Sequence, residues 1–338
     1  MTLIHTAVLD YAQIDEGRNA QEALQETIEL AKLAESLNFK RFWVAEHHDV
    51  PAFANSSPEL LMMRIADETS TIRVGSGGVM IPHYSPYKVA ENIRLLEAFH
   101  PNRIDLGIGN NSGTPIVNEA LNETKTRKLS YKQSIDDLIY YLSNERRESH
   151  RFQQMIIQPE ITTTPEMFLL STGERSAQIS ARAGLGYSFG LFPFVGKSAM
   201  VKGPDAARTY RAAFKPSKLM QKPVVSIAPF IAIADTDEQA EQYAQSLDLW
   251  LLGKDAFGAF NAFPSYETAK NYPYSAADRE KIKENRQFFI VGSKERAKRQ
   301  VDDLVEQFQA DEVIFIPLVP TFAARKRSYE LIAQLYNK

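Results

Sequence analysis

Short apolar runs alternate with longer amphipathic stretches along almost the whole chain, and this alternation predicts repeated strand–helix units. Leu3–Leu9 reads as the first strand. The helix after it, from about Ala20 to Leu37, places Leu24, Ile28, Ala31, Ala34 and Leu37 at helical spacing. Phe39–Ala45, Ile72–Ile81 and Arg103–Ile108 are the next three strands. Between them, Ser57-Pro58-Glu59 and Ser85-Pro86 carry helix-start chemistry, a serine cap followed by proline in the first turn. Val89, Ile93 and Leu96 mark the buried face of the second of these helices. The rhythm continues through strands at Met167–Ser171, Tyr187–Leu191, Val224–Ala234 and Val313–Ile316. Helices are expected at about Lys128–Leu142, Ser176–Ala183, Pro204–Phe214 and about Thr236–Leu252, then around Ala297–Phe308 and at Tyr329–Tyr336.

Eight such units favour an α/β fold of one kind, a single closed (β/α)8 TIM-like barrel, over an open doubly wound sheet. Two segments break the rhythm and read as insertions, about 143–165 and 255–287. Long loops in a compact domain commonly serve as lids, and the second is the candidate lid here. No linker or repeat interrupts the pattern, so residues 1–338 read as one domain.

Composition narrows the function classes. The formal net charge is −3 with acids and bases interspersed, which offers no electrostatic case for nucleic acid or an anionic membrane. The absence of cysteine excludes disulfides, thiolate catalysis and cysteine zinc sites. MTLIHTAVLD lacks a secretory pattern, and no apolar stretch approaches the roughly 20 residues of a membrane span, so a cytoplasmic protein is expected.

Candidate chemistry begins at Arg41-Phe-Trp-Val-Ala-Glu-His-His48, an apolar strand that ends in a carboxylate and two imidazoles. In a barrel, such strand tips form the active mouth. Strand alternation lets at most one of His47 and His48 point fully inward. An imidazole there suits acid/base work; the alternative is a histidine that ties the loop down by bonding a carboxylate. The spacing is not HExxH, so no metal site is expected. Val74-Gly-Ser-Gly-Gly78 has three glycines within four residues, which permit close approach to a flat ligand or a kink at a barrel corner. Leu106–Gly113 and Ser171-Thr-Gly-Glu-Arg-Ser176 follow strands and offer small residues to hold a phosphate at a helix start, or simply to cap it. Trp43, Phe53, Phe192, Phe194, Trp250 and Phe257 read mainly as core packing, with an apolar pocket as the alternative.

Taken together, RFWVAEHH at 41–48, IRVGSGGVMIP at 72–82, SPYKVAENIRLLEAFHPNRIDLGIG at 85–109 and VGSKERAKRQVDDLVEQFQADEVIFI at 291–316 resemble the bacterial luciferase-like monooxygenase superfamily. The similarity runs almost end to end and is most specific between residues 39 and 109. The resemblance implies a TIM-like barrel, a homodimer built on the second and third helices, and reduced FMN at the C-terminal mouth. It implies a monooxygenase that oxidises a small organic substrate with dioxygen, its flavin reduced by a separate NAD(P)H-dependent flavin reductase. His47 matches the family's active-site histidine and His48 its neighbour, with Glu46 or His48 fixing the tautomer of His47. Gly77-Gly78 matches a non-prolyl cis peptide beneath the flavin ring, and Thr172, Gly173 and Ser176 match positions near the flavin phosphate. Asn110 departs from the pattern, because many relatives carry there an arginine that pairs with the phosphate. A neutral amide cannot make a bidentate guanidinium contact, and Arg175 is the basic residue available to compensate. Two alternatives follow: a deazaflavin-dependent dehydrogenase on the same fold, or a flavin-binding protein without catalysis.

Overall fold

The computed structural model describes residues 4–126, 129–145 and 147–337. Its strands are β1 (His5–Asp10), β2 (Arg41–Val44), β3 (Arg73–Met80), β4 (Ile104–Gly109), β5 (Glu166–Ser171), β6 (Gly186–Leu191), β7 (Val225–Ile233), β8 (Phe289–Gly292) and β9 (Glu312–Phe315). The helices are α1 (Ala20–Ser36), α2 (Pro58–Glu68), α3 (Pro86–Phe99), α4 (Pro115–Asn122), α5 (Tyr131–Leu142), α6 (Glu174–Ala183), α7 (Lys197–Ala213), α8 (Asp237–Trp250), α9 (Tyr266–Asn271), α10 (Ala276–Asn285), α11 (Lys294–Phe308) and α12 (Phe322–Tyr336).

Strands β1 to β7 pair in sequence order, all parallel, and β9 closes the barrel by pairing with both β7 and β1. These eight are the strands that the apolar pattern predicts. The ninth, β8, lies outside the closed ring and pairs only with the C-terminal half of β7, from Phe230↔Phe289 to Ile233↔Gly292. The apolar pattern did not separate it because it follows directly on the charged segment 255–287 that reads as an insertion.

Alternate residues of each strand face the lumen and the surrounding helices. Phe42 and Val44 pack outward with the helices, whereas Leu9, Trp43, Phe168, Phe230 and Ile314 pack together inside. The N-terminal end of the lumen is ionic. Arg41, fully buried, donates from Nε to Glu312, from Nη1 to Asp105 at 2.7 Å and from Nη2 to Glu166 at 2.7 Å. Arg73 adds a second guanidinium to Asp105 at 2.6 Å, and Trp43 Nε1 donates to the same carboxylate at 2.9 Å. Each charge in this plug therefore has a partner, the condition under which a buried ion is tolerable.

Helix starts follow local chemistry with two corrections. Asn19 and Glu22 form a capping box on α1, and Ser130 and Thr236 cap α5 and α8. Ser57 and Ser85 occupy the cap positions of α2 and α3, yet neither side chain makes the capping bond; proline in the first turn sets the start instead. Helix α7 begins seven residues before Pro204, which lies inside it. The expected start of α5 at Lys128 falls outside the described residues.

The insertion at 255–287 is not a bare loop: it holds α9 and α10, each opened by a serine cap. The segment between α5 and β5 has no helix or strand among its described residues. It is tied down by Arg94, which donates to the carbonyls of Pro159 and Tyr141 and to Asn144.

Candidate active site

The tip of β2 is stapled before any functional group is placed. The Ala45 N–H donates to the Asp10 carbonyl at 3.0 Å, and the His47 N–H to the Asn55 carbonyl at 3.1 Å. The Asn55 amide returns a bond to the Ala45 carbonyl at 2.7 Å. Past the end of β2, Glu46 and His48 meet each other, whereas His47 packs on Tyr11 and Phe53.

Glu46 is buried and accepts three hydrogen bonds: from His48 Nε2 at 2.8 Å, from the Tyr84 hydroxyl at 2.9 Å and from the Met80 N–H at 3.0 Å. Burial, with the Glu46 carboxylate beside it, pushes the Tyr84 phenol above its ordinary value, so Tyr84 stays protonated and donates. A third imidazole, His83, lies 6.2 Å from the His48 ring and accepts from the Asn122 amide at 3.0 Å. Tyr84 and His83 were not singled out from sequence. The signal available was their position just past β3, in a 3-10 turn that ends at the barrel mouth.

His47 has different surroundings. Its ring packs between Tyr11, 4.6 Å between centroids, and Phe53, 4.8 Å. Its Nδ1 is buried and has no hydrogen-bond partner among the described residues. Burial, helped by the neighbouring His48, lowers its pKa to about 4. Glu46 therefore contacts His48 and not His47, and nothing described fixes the tautomer of His47. The carboxylate bond expected of a loop-tying histidine is made by His48, and His47 does not make it.

A depressed value has a testable consequence. Between pH ~6.5 and ~4 the unfolded chain binds a proton at this position that the folded chain does not. The His47 contribution to stability is thus intact above pH ~6.5 and declines as pH falls toward ~4. Proton NMR of the His47 ring is expected to titrate near 4; a midpoint near 6.5 would show that the ring is not desolvated.

The Gly77–Gly78 peptide is cis, as the resemblance implies. Register with β4 runs Gly77↔Gly107 and then Val79↔Ile108, which leaves Gly78 as the extra residue of a bulge. A Cβ on Gly77 would sit 2.7 Å from Leu9 Cδ1, and one on Gly78 2.6 Å from the Gly107 carbonyl oxygen. Packing within the protein is therefore sufficient reason for both glycines.

At the tip of β5, Gly173 occupies the cap of α6 with no side-chain cap bond. The first N–H groups of α6 have no intrahelical acceptor, and the half-buried Thr172 and Ser176 flank them. A Cβ on Gly173 would meet nothing within 4 Å. Capping by Thr172 or Ser176, the alternative considered from sequence, is absent. Asn110 is exposed one residue past β4, whose Ile108 pairs with Leu169 of the neighbouring β5, and Arg175 is also exposed. Among the described residues, no group of three histidines or acids could hold a metal ion, and no helix is long and apolar enough to cross a membrane.

The sequence pattern described as luciferase-like monooxygenase matches residues 4–312. The chain belongs to the luciferase-like monooxygenase family. Like the family, it is an oxidoreductase that incorporates molecular oxygen. This luciferase-like monooxygenase is 40% identical to YceB of Bacillus subtilis strain 168, over 99% of this chain and 100% of that one. It is 31% identical to the N-acetyl-S-alkylcysteine monooxygenase of the same strain, over 98% of each chain. Among solved structures, that of apo-MsnO8 superimposes with a TM-score of 0.85 at 30% identity, covering 99% of this chain and 98% of that one.

Proposed function

We propose that this luciferase-like monooxygenase uses reduced FMN, delivered by a separate NAD(P)H-dependent flavin reductase, to oxidise a small organic substrate. The buried Nδ1 of His47 carries the reading. An unpaired buried polar atom costs about 1–3 kcal/mol, so a histidine kept there at that cost supports a role other than packing. The residues present fit a flavin nucleotide at its phosphate end: the uncapped start of α6 offers main-chain N–H donors, with the hydroxyls of Thr172 and Ser176 alongside and Arg175 available for charge. Asn110 offers an amide where the family resemblance implies an arginine.

Reduced flavin, when bound, supplies the two electrons that activate dioxygen. The protein does the rest. Neutral His47 offers one donor and one acceptor without bringing a charge into an apolar corner. Glu46 gathers His48 and Tyr84 into one hydrogen-bonded group able to hold or pass a proton at His48 Nε2. Gly77 and Gly78 present main chain without side chains. The named relative makes S-alkyl thioethers the first substrates to try.

The test is a titration of the protein with FMN under reducing, oxygen-free conditions, followed by admission of oxygen with a thioether present. Saturable flavin binding and one oxygen atom in the product are expected. Binding of a deazaflavin but not FMN would favour the dehydrogenase alternative.

We also propose a homodimer through α2 and α3. Leu60 on α2 is 75% exposed, and Leu95 and Phe99 on α3 are 46% and 65% exposed. Three exposed apolar side chains on these two helices support that reading. Phe99→Asp is expected to yield a monomer by light scattering; an unchanged mass would remove this face from consideration.

A further inference from the structure

Seven aromatic rings at the C-terminal end of the barrel form a closed circuit of contacts. Its deeper side runs from Phe230 on β7 to Tyr11 (6.2 Å between centroids), to Phe53 (5.1 Å) and to Trp250 at the end of α8 (5.1 Å). The outer side continues from Trp250 to Phe257 (5.3 Å) and Phe194 (6.3 Å), then returns through Phe192 (5.7 Å) to Phe230 (5.3 Å). Among the described residues, no ring–ring contact crosses the circuit.

Exposure rises from one side to the other. Phe230, Trp250 and Phe53 are buried, Tyr11, Phe192 and Phe257 are half-buried, and Phe194 is 62% exposed. Phe53, Phe230 and Trp250 belong to the buried lumen cluster and Tyr11, Phe192 and Phe257 pack against it, so the circuit is the outward edge of the core, and Phe194 alone opens it to solvent as the rim of a binding site would. His47 packs on two members, Tyr11 and Phe53, so the circuit adjoins an imidazole whose Nδ1 has no hydrogen-bond partner among the described residues.

The segment that supplies Phe257 is also unusual. Asp255, Ala256 and Phe257 have φ of 48°, 54° and 74°, three successive non-glycine residues in the left-handed region. Each is disfavoured there, and such backbone persists where its surroundings hold it. Here the left-handed turn delivers the Phe257 ring between Trp250 and Phe194.

We propose that this aromatic circuit is the substrate's binding wall and that it takes an uncharged, apolar group, with Phe194 and Phe257 as the rim through which that group enters. The proposal rests on the monooxygenase reading for the word substrate, but the binding itself needs no flavin. A charged end of the molecule has to remain outside the rim, because the rings offer no counter-charge.

The test follows tryptophan emission in flavin-free protein, with Trp250→Phe to assign the signal. Ethyl, butyl and hexyl methyl sulfide are the probes, together with 6-(methylthio)hexanoate. Affinity is expected to rise about three- to fourfold per added methylene, as apolar burial dictates, and the carboxylate analogue to bind at least about tenfold more weakly than the hexyl compound. Phe194→Asp should weaken the hexyl sulfide about tenfold, Phe194→Leu should restore most of the affinity, and FMN affinity should not change in either. The exposed ring makes both variants safe for folding. Affinity independent of chain length, an equally tight carboxylate, or a silent Phe194→Asp would each overturn the proposal. Sulfide binding without FMN binding would sink only the cofactor reading, and FMN binding without sulfide binding only this one.

Discussion

Arg41→Met is expected to lower the unfolding free energy by about 3–5 kcal/mol, the usual result of stripping one partner from a buried ionic cluster. The reason lies in what stays behind. Glu312 and Asp105 are fully buried and lose a guanidinium held at 2.9 and 2.7 Å, while methionine offers them no donor. Domains of this kind are stable by only about 5–15 kcal/mol, so the variant should be marginal or unfolded at moderate denaturant. Urea denaturation followed by circular dichroism measures this; a loss under about 1 kcal/mol would mean that water or relaxation replaces the arginine.

The same cluster sets an acid limit. Burial pushes the Asp105 carboxyl up, but Arg41 and Arg73 beside it outweigh burial and hold it below the usual carboxylate range. A depressed carboxyl contributes stability above its unfolded value near ~4, and that contribution is lost as pH falls through the lower folded value. In Arg41→Met the acid-unfolding midpoint should therefore move upward in pH.

Glu46→Gln carries the largest expected effect on turnover, a fall in kcat of about 10²-fold or more, the range for losing a positioned acid/base group. Glutamine keeps the shape, but its amide carries two donors into a place where His48 Nε2, the Tyr84 hydroxyl and the Met80 N–H all need an acceptor. At least one of the three bonds is lost or has its direction reversed, which changes the tautomer at His48. FMN affinity should change far less than kcat, because none of these bonds reaches the start of α6. Tyr84→Phe removes one donor of the three; a smaller fall in kcat with a displaced pH profile is the result that marks Tyr84 as a positioning residue acting through Glu46. An unchanged profile in both variants would leave Glu46 as a mere fastener of the loop.

Much of the molecule was legible along the chain because its signals are local. All eight barrel strands show as apolar runs, since a parallel strand buried on both faces has no polar side to dilute the pattern. The block at 41–48 stood out as a candidate mouth because a carboxylate and two imidazoles directly after an apolar strand are unusual, and the structure places them just past the end of β2. Elements beside or inside segments without a clear period were missed: β8 follows directly on the charged stretch 255–287, and α4 has only eight residues behind the Thr114 cap. The helices inside 255–287 were hidden by their charge, since α10 has almost no apolar face and is held by Ser275 and Asp278 at its start.

The site shows the same division. Strand alternation predicts that the two histidines part company, but not which of them meets the carboxylate. That was decided by Tyr84 and the Met80 N–H, which arrive from the end of β3 and fix Glu46 on the side of His48.

The sequence by itself determined the order of strands and helices, the closed barrel and the family, because periodicity and contiguous motifs survive in one dimension. Only the tertiary structure decided that Arg41 belongs to Glu312, 271 residues away, that His47 Nδ1 has no hydrogen-bond partner among the described residues, and that rings from five separate segments meet in one circuit. Those outcomes depend on which distant side chains share a small, water-poor volume, and desolvation there sets charge and pairing in ways that no local pattern encodes.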